Sequence, residues 1–208
     1  MLGVINYGAG NYRSLCNALD FLKISYIEIS KQQDFEPCTH IILPGVGAYN
    51  DCVERLRSLD LLEALKQELV GKDKFYLGIC VGHQILSSYG TEFEEKPGLS
   101  MIDGKTVKLE YARGLPVPHI GWSEVKQSRS SSLFNNIEDL ATFYFVHSFY
   151  IQTDHPEDVL ATVTYGKEIT AAVSKGKIYG VQFHPEKSQT NGLQLLKNFA
   201  ELKDDGSG

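Results

Sequence analysis

The chain has 208 residues, a formal net charge of -6 and four cysteines. That length suits one α/β domain with a sizeable core, and the negative balance gives no electrostatic footprint for nucleic acid or an anionic membrane. No apolar run approaches the roughly 20 residues of a transmembrane helix. The first residues lack a signal peptide's basic and cleavage regions. Cys16, Cys38, Cys52 and Cys80 show neither C-x-x-C nor metal-ligand spacing, so free thiols in a reducing cytoplasm are expected.

In chain order, residues 2–6 read as a short apolar strand. A glycine turn follows at Tyr7, Gly8, Ala9, Gly10 and Asn11, then a helix with Leu15, Leu19 and Leu22 on one face. Gly8-Ala9-Gly10 invites a dinucleotide reading, but no third glycine stands at the required spacing, so a tight βα turn is expected. Cys16 is expected to pack. Residues 26–29 and 40–43 are the next strands. The second of these ends in Pro44-Gly45-Val46-Gly47, whose glycines suit close approach of backbone N–H groups to a ligand; the alternative is a turn with no chemistry. One helix over 53–69 follows, with Val53, Leu56, Leu61, Leu62, Leu65 and Leu69 inward. Strands alternating with helices predict βαβ units and a parallel sheet.

The pivot is residues 75–84. An apolar strand, Phe75–Ile79, runs into Cys80, which is flanked by Gly78 and Gly82, and helical spacing resumes at Ile85 and Leu86. Strand, sharp turn and helix, with the cysteine on the turn, match a nucleophile elbow with sulfur replacing oxygen. The glycines avoid a Cβ clash in a crowded turn, and the helix start favours a thiolate. The alternative is a small buried hydrophobe. Beyond the elbow, residues 99–109, 122–125, 143–147, 159–164, 169–173 and 178–183 are short β-rich segments, predicting an antiparallel extension. Residues 127–132 read as an exposed loop. A last helix carries Leu193, Leu196, Phe199 and Ala200 onto the core. Residues 1–202 read as one domain and 203–208 as a disordered tail.

A thiolate nucleophile needs a base, and the base needs an orienter. An apolar strand ends at His184, Pro185 holds it extended, and Glu186, two residues on, then shares its side. Strand ends at the carboxyl edge of a parallel sheet converge on one crevice, which brings Cys80 and His184 together. The alternatives are a satisfied strand-end histidine and a solvated carboxylate; elbow and His-Pro-Glu in one chain weigh against both. His83 is expected to pack or cap, His40 and His155 to be structural or solvated, and His147 to border the site. No three ligands converge for a metal.

Gly78-Ile79-Cys80-Val81-Gly82-His83-Gln84 with a later His184-Pro185-Glu186 resembles the class I (triad) glutamine amidotransferases. Their fold is flavodoxin-like: an open, mostly parallel sheet with helices on both faces and an antiparallel β extension. More narrowly, residues 6–11, 43–48, 118–122, 143–148 and 181–188 are similar, in order and over nearly the whole chain, to the glutaminase (HisH) subunits of imidazole glycerol phosphate synthase.

The resemblance implies L-glutamine as substrate and no cofactor. Cys80 would attack the amide, His184 handle protons and Glu186 orient it. Backbone around Val46, Gly47 and Val81 would form the oxyanion hole. Gln84, Glu92, His147, Ser148 and Phe149 would hold the substrate. Pro118, Trp122, Tyr144 and Lys187 would face a cyclase (HisF-type) subunit in a heterodimer. That subunit takes ammonia through an internal tunnel and makes imidazole glycerol phosphate and an aminoimidazole carboxamide ribotide.

Val81-Gly82-His83 departs from the family's usual Leu-Gly-Met. With the surroundings of Glu92 and Lys187-Ser188-Gln189, it is similar to a paralogous branch that supplies ammonia for amidating a surface-polysaccharide sugar. A cysteine peptidase would need an open groove for a chain substrate. A catalytically dead binding subunit is opposed by the complete triad.

Overall fold

A computed structural model describes residues 1–8, 11–110 and 114–204. Its first half alternates strand and helix: β1 (Leu2–Ile5), α1 (Tyr12–Phe21), β2 (Tyr26–Ile29), β3 (His40–Leu43), α2 (Tyr49–Ser58), α3 (Leu61–Gly71) and β4 (Phe75–Ile79). After β4 comes a single turn of helix, α4 (Val81–Gln84). Strands then dominate: β5 (Ser87–Gly90), β6 (Lys96–Pro97), β7 (Ile102–Lys108), β8 (His119–Gln127), β9 (Thr142–His147) and β10 (Phe149–Thr153). The chain closes with β11 (Val159–Tyr165), β12 (Lys167–Lys175), β13 (Ile178–Val181) and α5 (Gln189–Glu201).

Nine strands form one sheet in the order β2-β1-β3-β4-β13-β12-β11-β8-β9. From β2 to β13 the pairings are parallel, and from β13 to β9 antiparallel. The expected parallel sheet with an antiparallel extension is therefore what forms. Alternate residues of the central strands feed two buried clusters. Leu77 and Ile79 of β4 join α1 and α5 residues such as Leu19, Leu196 and Phe199, while Tyr76 joins Val53 and Leu65 of α2 and α3. Since successive strand residues point to opposite faces, helices cover both.

Four features differ from the sequence reading. The helix expected over 53–69 is two helices, because Asp60 takes a left-handed conformation (φ 56) between them. Helical spacing does not continue past Gln84. The carbonyls of Ile85 and Leu86 accept N–H groups of Leu99, Met101 and Ile102 instead of continuing a helical ladder. The chain thus enters β5, part of a second, unanticipated four-stranded sheet in the order β10-β7-β5-β6. β8 runs three residues further back than expected, to His119, and two further on, to Gln127. Finally, β13 ends at Val181, and Pro185–Lys187 is a 3-10 turn, so His184 and Glu186 do not share one extended segment.

Of the expected glycine turn, Ala9 and Gly10 lie outside the described residues, as do residues 205–208 of the expected tail. Within that tail, Asp204 pairs with Lys177. Among the described residues, no helix is long and apolar enough to cross a membrane.

Candidate active site

β4 and β13 run side by side in parallel, with Ile79 opposite Val181, so their carboxyl ends deliver Cys80 and His184 to the same edge of the sheet. Cys80 sits at φ 54, ψ -107, a conformation side chains avoid unless the surroundings impose it. Two glycines make room for the turn. A Cβ on Gly78 would run into the backbone of Gly82, and one on Gly82 into the carbonyl of Leu43. The Cys80 N–H is fixed to the Val181 carbonyl at 2.9 Å. Its Sγ lies 3.9 Å from the Val146 carbonyl and 3.7 Å from Gln182 Nε2. Cys80 opens α4, whose first N–H groups have no intrahelical acceptor and lean toward negative charge.

His184 and Glu186 are joined by Nδ1 and Oε1 at 2.8 Å with both side chains fully buried. The contact is made across the 3-10 turn rather than along a strand. Asn11 Nδ2 also donates to Glu186 Oε1 and lies 3.2 Å from His184 Nδ1. Burial pulls the His184 ring down, but negative charge at Cys80 and the Glu186 carboxylate outweigh it, and its pKa is raised well above the ordinary imidazole value. Burial pushes Glu186 up, yet the imidazolium and the Asn11 amide hold it below the ordinary carboxylate value. Nδ1 being taken, Nε2 is the nitrogen left to serve Cys80. It is buried and, among the described residues, has no hydrogen bond of standard geometry.

Cys80 lines a cavity of about 430 Å³ together with Val46, Gly47, Gln84 and Glu92. His147, Ser148 and Phe149 form its far wall, and Pro118 and Lys187 stand at the same cavity. Gln84 Nε2 donates to the Phe149 carbonyl at 2.8 Å and to Gln182 Oε1 at 3.2 Å. Glu92 Oε2 caps α2 by accepting the Tyr49 N–H at 2.7 Å, which pins a carboxylate at the rim. The loop before α2 lies close on the elbow: a Cβ on Gly45 would meet Val81 and the Tyr7 hydroxyl. Gly47 stands at φ 107, so one of the two glycines, not both, uses positive φ.

The family-model description "Glutamine amidotransferase class-I" matches residues 4–202. The chain belongs to that family. The "Imidazole glycerol phosphate synthase subunit HisH" of Leptospira interrogans is 40% identical over 205 residues, covering 97% of this chain and 100% of its own. The "Imidazole glycerol phosphate synthase subunit HisH 2" of Pseudomonas aeruginosa is 39% identical, again over 97% and 100%. The fold of this amidotransferase is shared with a solved structure described as "Crystal structure of glutamine amidotransferase", at TM-score 0.73 and 20% identity, covering 96% of this chain and 97% of that one.

Of the expected docking residues, Trp122 is 47% exposed, and its ring lies 5.9 Å from that of Tyr144. Lys187 Nζ lies 6.0 Å from the centre of the Tyr144 ring. Pro118 and Lys187 are exposed and line the cavity, and Tyr144 is half-buried. His83, His40 and His155 behave as expected. His83 is fully buried and packs against Gly180. His40 is tied to the Leu202 carbonyl, and His155 is a surface residue beside Asp103 and Glu157. Three residues went unrecognised in the sequence: Asn11, Gln182 and Ser188. Ser188 Oγ donates to the His184 carbonyl at 2.6 Å and accepts the Tyr144 N–H at 3.0 Å. The signal each had was its place in a family-like stretch, Asn11 in residues 6–11 and Gln182 and Ser188 in residues 181–188.

Proposed function

We propose that this amidotransferase is the glutaminase subunit of an imidazole glycerol phosphate synthase. The observation that carries the reading is a cysteine on a strained elbow, at the wall of a small cavity, beside a buried His184–Glu186 pair. Two HisH-named relatives near 40% identity over their whole length support the acceptor pathway.

L-glutamine enters with its ammonium toward the Glu92 carboxylate and its side-chain amide over Cys80. The thiolate attacks the amide carbon, and the oxyanion is met by N–H groups of Val81 and the 46–47 loop. The tetrahedral species collapses with cleavage of the C–N bond, His184 giving its Nε2 proton to the departing ammonia. Water, deprotonated by His184, then attacks the γ-glutamyl thioester. The C–S bond breaks, glutamate leaves and the thiolate returns. Splitting one hard step into two is what the covalent route offers.

Ammonia passes to a cyclase (HisF-type) subunit docked on the face of Pro118, Trp122, Tyr144 and Lys187. The reading is tested by incubating the chain, with its cyclase subunit, with a glutamine-analogue electrophile at pH 7. Cys80 should be the thiol labelled, and His184→Ala should label far more slowly. Equal labelling rates would remove His184 from the mechanism. A partner that instead amidates a sugar would move the acceptor to the surface-polysaccharide branch while leaving the triad chemistry intact.

A further inference from the structure

The far wall of the cavity is held from behind by a chain of side chains that the mechanism above does not use. His147 Nδ1 lies 2.9 Å from the Phe149 carbonyl, and its Nε2 lies 3.0 Å from His119 Nδ1. His119 Nε2 lies 2.9 Å from Ser123 Oγ. Both rings are buried, and burial lowers His147 to about 3 and His119 to about 4. Each is therefore neutral near pH 7, with one donor and one acceptor nitrogen.

A carbonyl only accepts, which sets the direction of the whole chain. Nδ1–H of His147 donates to Phe149, Nδ1–H of His119 donates to His147 Nε2, and the Ser123 hydroxyl donates to His119 Nε2. The Phe149 carbonyl also takes Gln84 Nε2, so both its lone pairs are engaged. The next carbonyl back, Ser148, is fixed by the Leu109 N–H at 2.8 Å. His119 does not line the cavity. It is stacked between Phe145 and Tyr165, at 4.8 and 4.0 Å between ring centres.

We propose that His119 is a positioning residue for the amino-acid substrate: its Nδ1–H fixes His147, and through it the 147–149 bend on which the glutamine head group rests. The inference builds on the glutaminase reading above.

Two substitutions separate hydrogen bonding from packing. His119→Phe keeps an aromatic ring in the stack and deletes the donor. His119→Asn loses the ring, but its amide nitrogen falls near the position of Nδ1. The full chain assembled with its cyclase subunit is assayed with glutamine. His119→Phe should raise KM about three- to tenfold, the scale of one buried neutral hydrogen bond, with a smaller change in kcat. His119→Asn should keep KM within about twofold of the parent even where its Tm drops. In ¹⁵N spectra, the His147 Nε2 resonance should move in His119→Phe and stay in His119→Asn. An unchanged KM and an unmoved His147 resonance in folded His119→Phe would overturn the role of the chain. A parent complex that fails to hydrolyse glutamine would overturn the functional reading itself, a different and separately visible result.

Discussion

Glu186 meets the rest of the site through one oxygen. Its Oε1 receives both His184 Nδ1 and the Asn11 amide, two residues that lie 173 positions apart in the chain. Replacing it by Gln removes the negative charge that steadies the protonated imidazole and lets the amide present a donor to Nδ1, so Glu186→Gln should lower kcat by about 10⁴, the scale of a carboxylate-to-amide change in other triads. A fall under tenfold would show that Glu186 does not orient the base. The pair also shapes stability. Because folding raises the His184 pKa, its share is full below the unfolded value near 6.5 and is lost as pH climbs through the raised one. Because folding lowers Glu186, its share is full above 4.5 and is lost as pH falls through the lowered value. The Tm advantage of the parent over Glu186→Gln should therefore peak between about pH 4.5 and 6.5 and shrink on either side; a flat difference would contradict the coupling. The His-Pro-Glu motif was legible because its members are neighbours in sequence. Asn11, Gln182 and Ser188 were not, because each matters through a contact set only by the folded chain.

Among the elements, the elbow is the one the sequence describes most completely. An apolar run, two glycines and a cysteine between them are local facts, and the glycines are required by space rather than by φ. Gly82→Ala pushes a methyl group into the Leu43 carbonyl, which belongs to β3 and has nowhere to go. Overpacking of this kind costs about 1–3 kcal/mol, and it also displaces Cys80. The variant should lose several degrees in Tm and label more slowly at Cys80; parent-like Tm and labelling would contradict the steric account. Less local features were hidden. Leu-rich periodicity runs straight through the Leu59–Asp60 break, since a single left-handed residue leaves no mark on the apolar pattern. The end of α4 was invisible for another reason: the carbonyls of Ile85 and Leu86, just past it, are claimed by residues 99–102. The 3-10 turn at Pro185–Lys187 brought His184 and Glu186 together by a route that strand alternation does not describe.

At the scale of the whole molecule, the candidate cavity and the proposed docking face share the β8–β9 edge. Trp122 pairs with Tyr144 in that register, and the Tyr144 carbonyl accepts the His184 N–H at 2.9 Å. A partner touching Tyr144 and Lys187 thus bears on the segment that holds His184. A glutaminase active without an acceptor would waste ammonia, so the 46–47 peptide should favour a donor-out state in the isolated chain. One missing oxyanion donor lowers the rate about 10²–10³-fold. Glutaminase rate should rise by that order from the chain alone to the complex loaded with acceptor ligand; equal rates in all states would rule out gating. The central claim is that Cys80 supplies ammonia to a second subunit. Its most direct test is the complex carrying Cys80→Ala, assayed for product with glutamine and, separately, with ammonium salt. Synthesis from glutamine should fall by about 10⁶, as for other covalent nucleophiles, while synthesis from ammonium stays at the parent rate. Glutamine-driven synthesis that survives the substitution would contradict it.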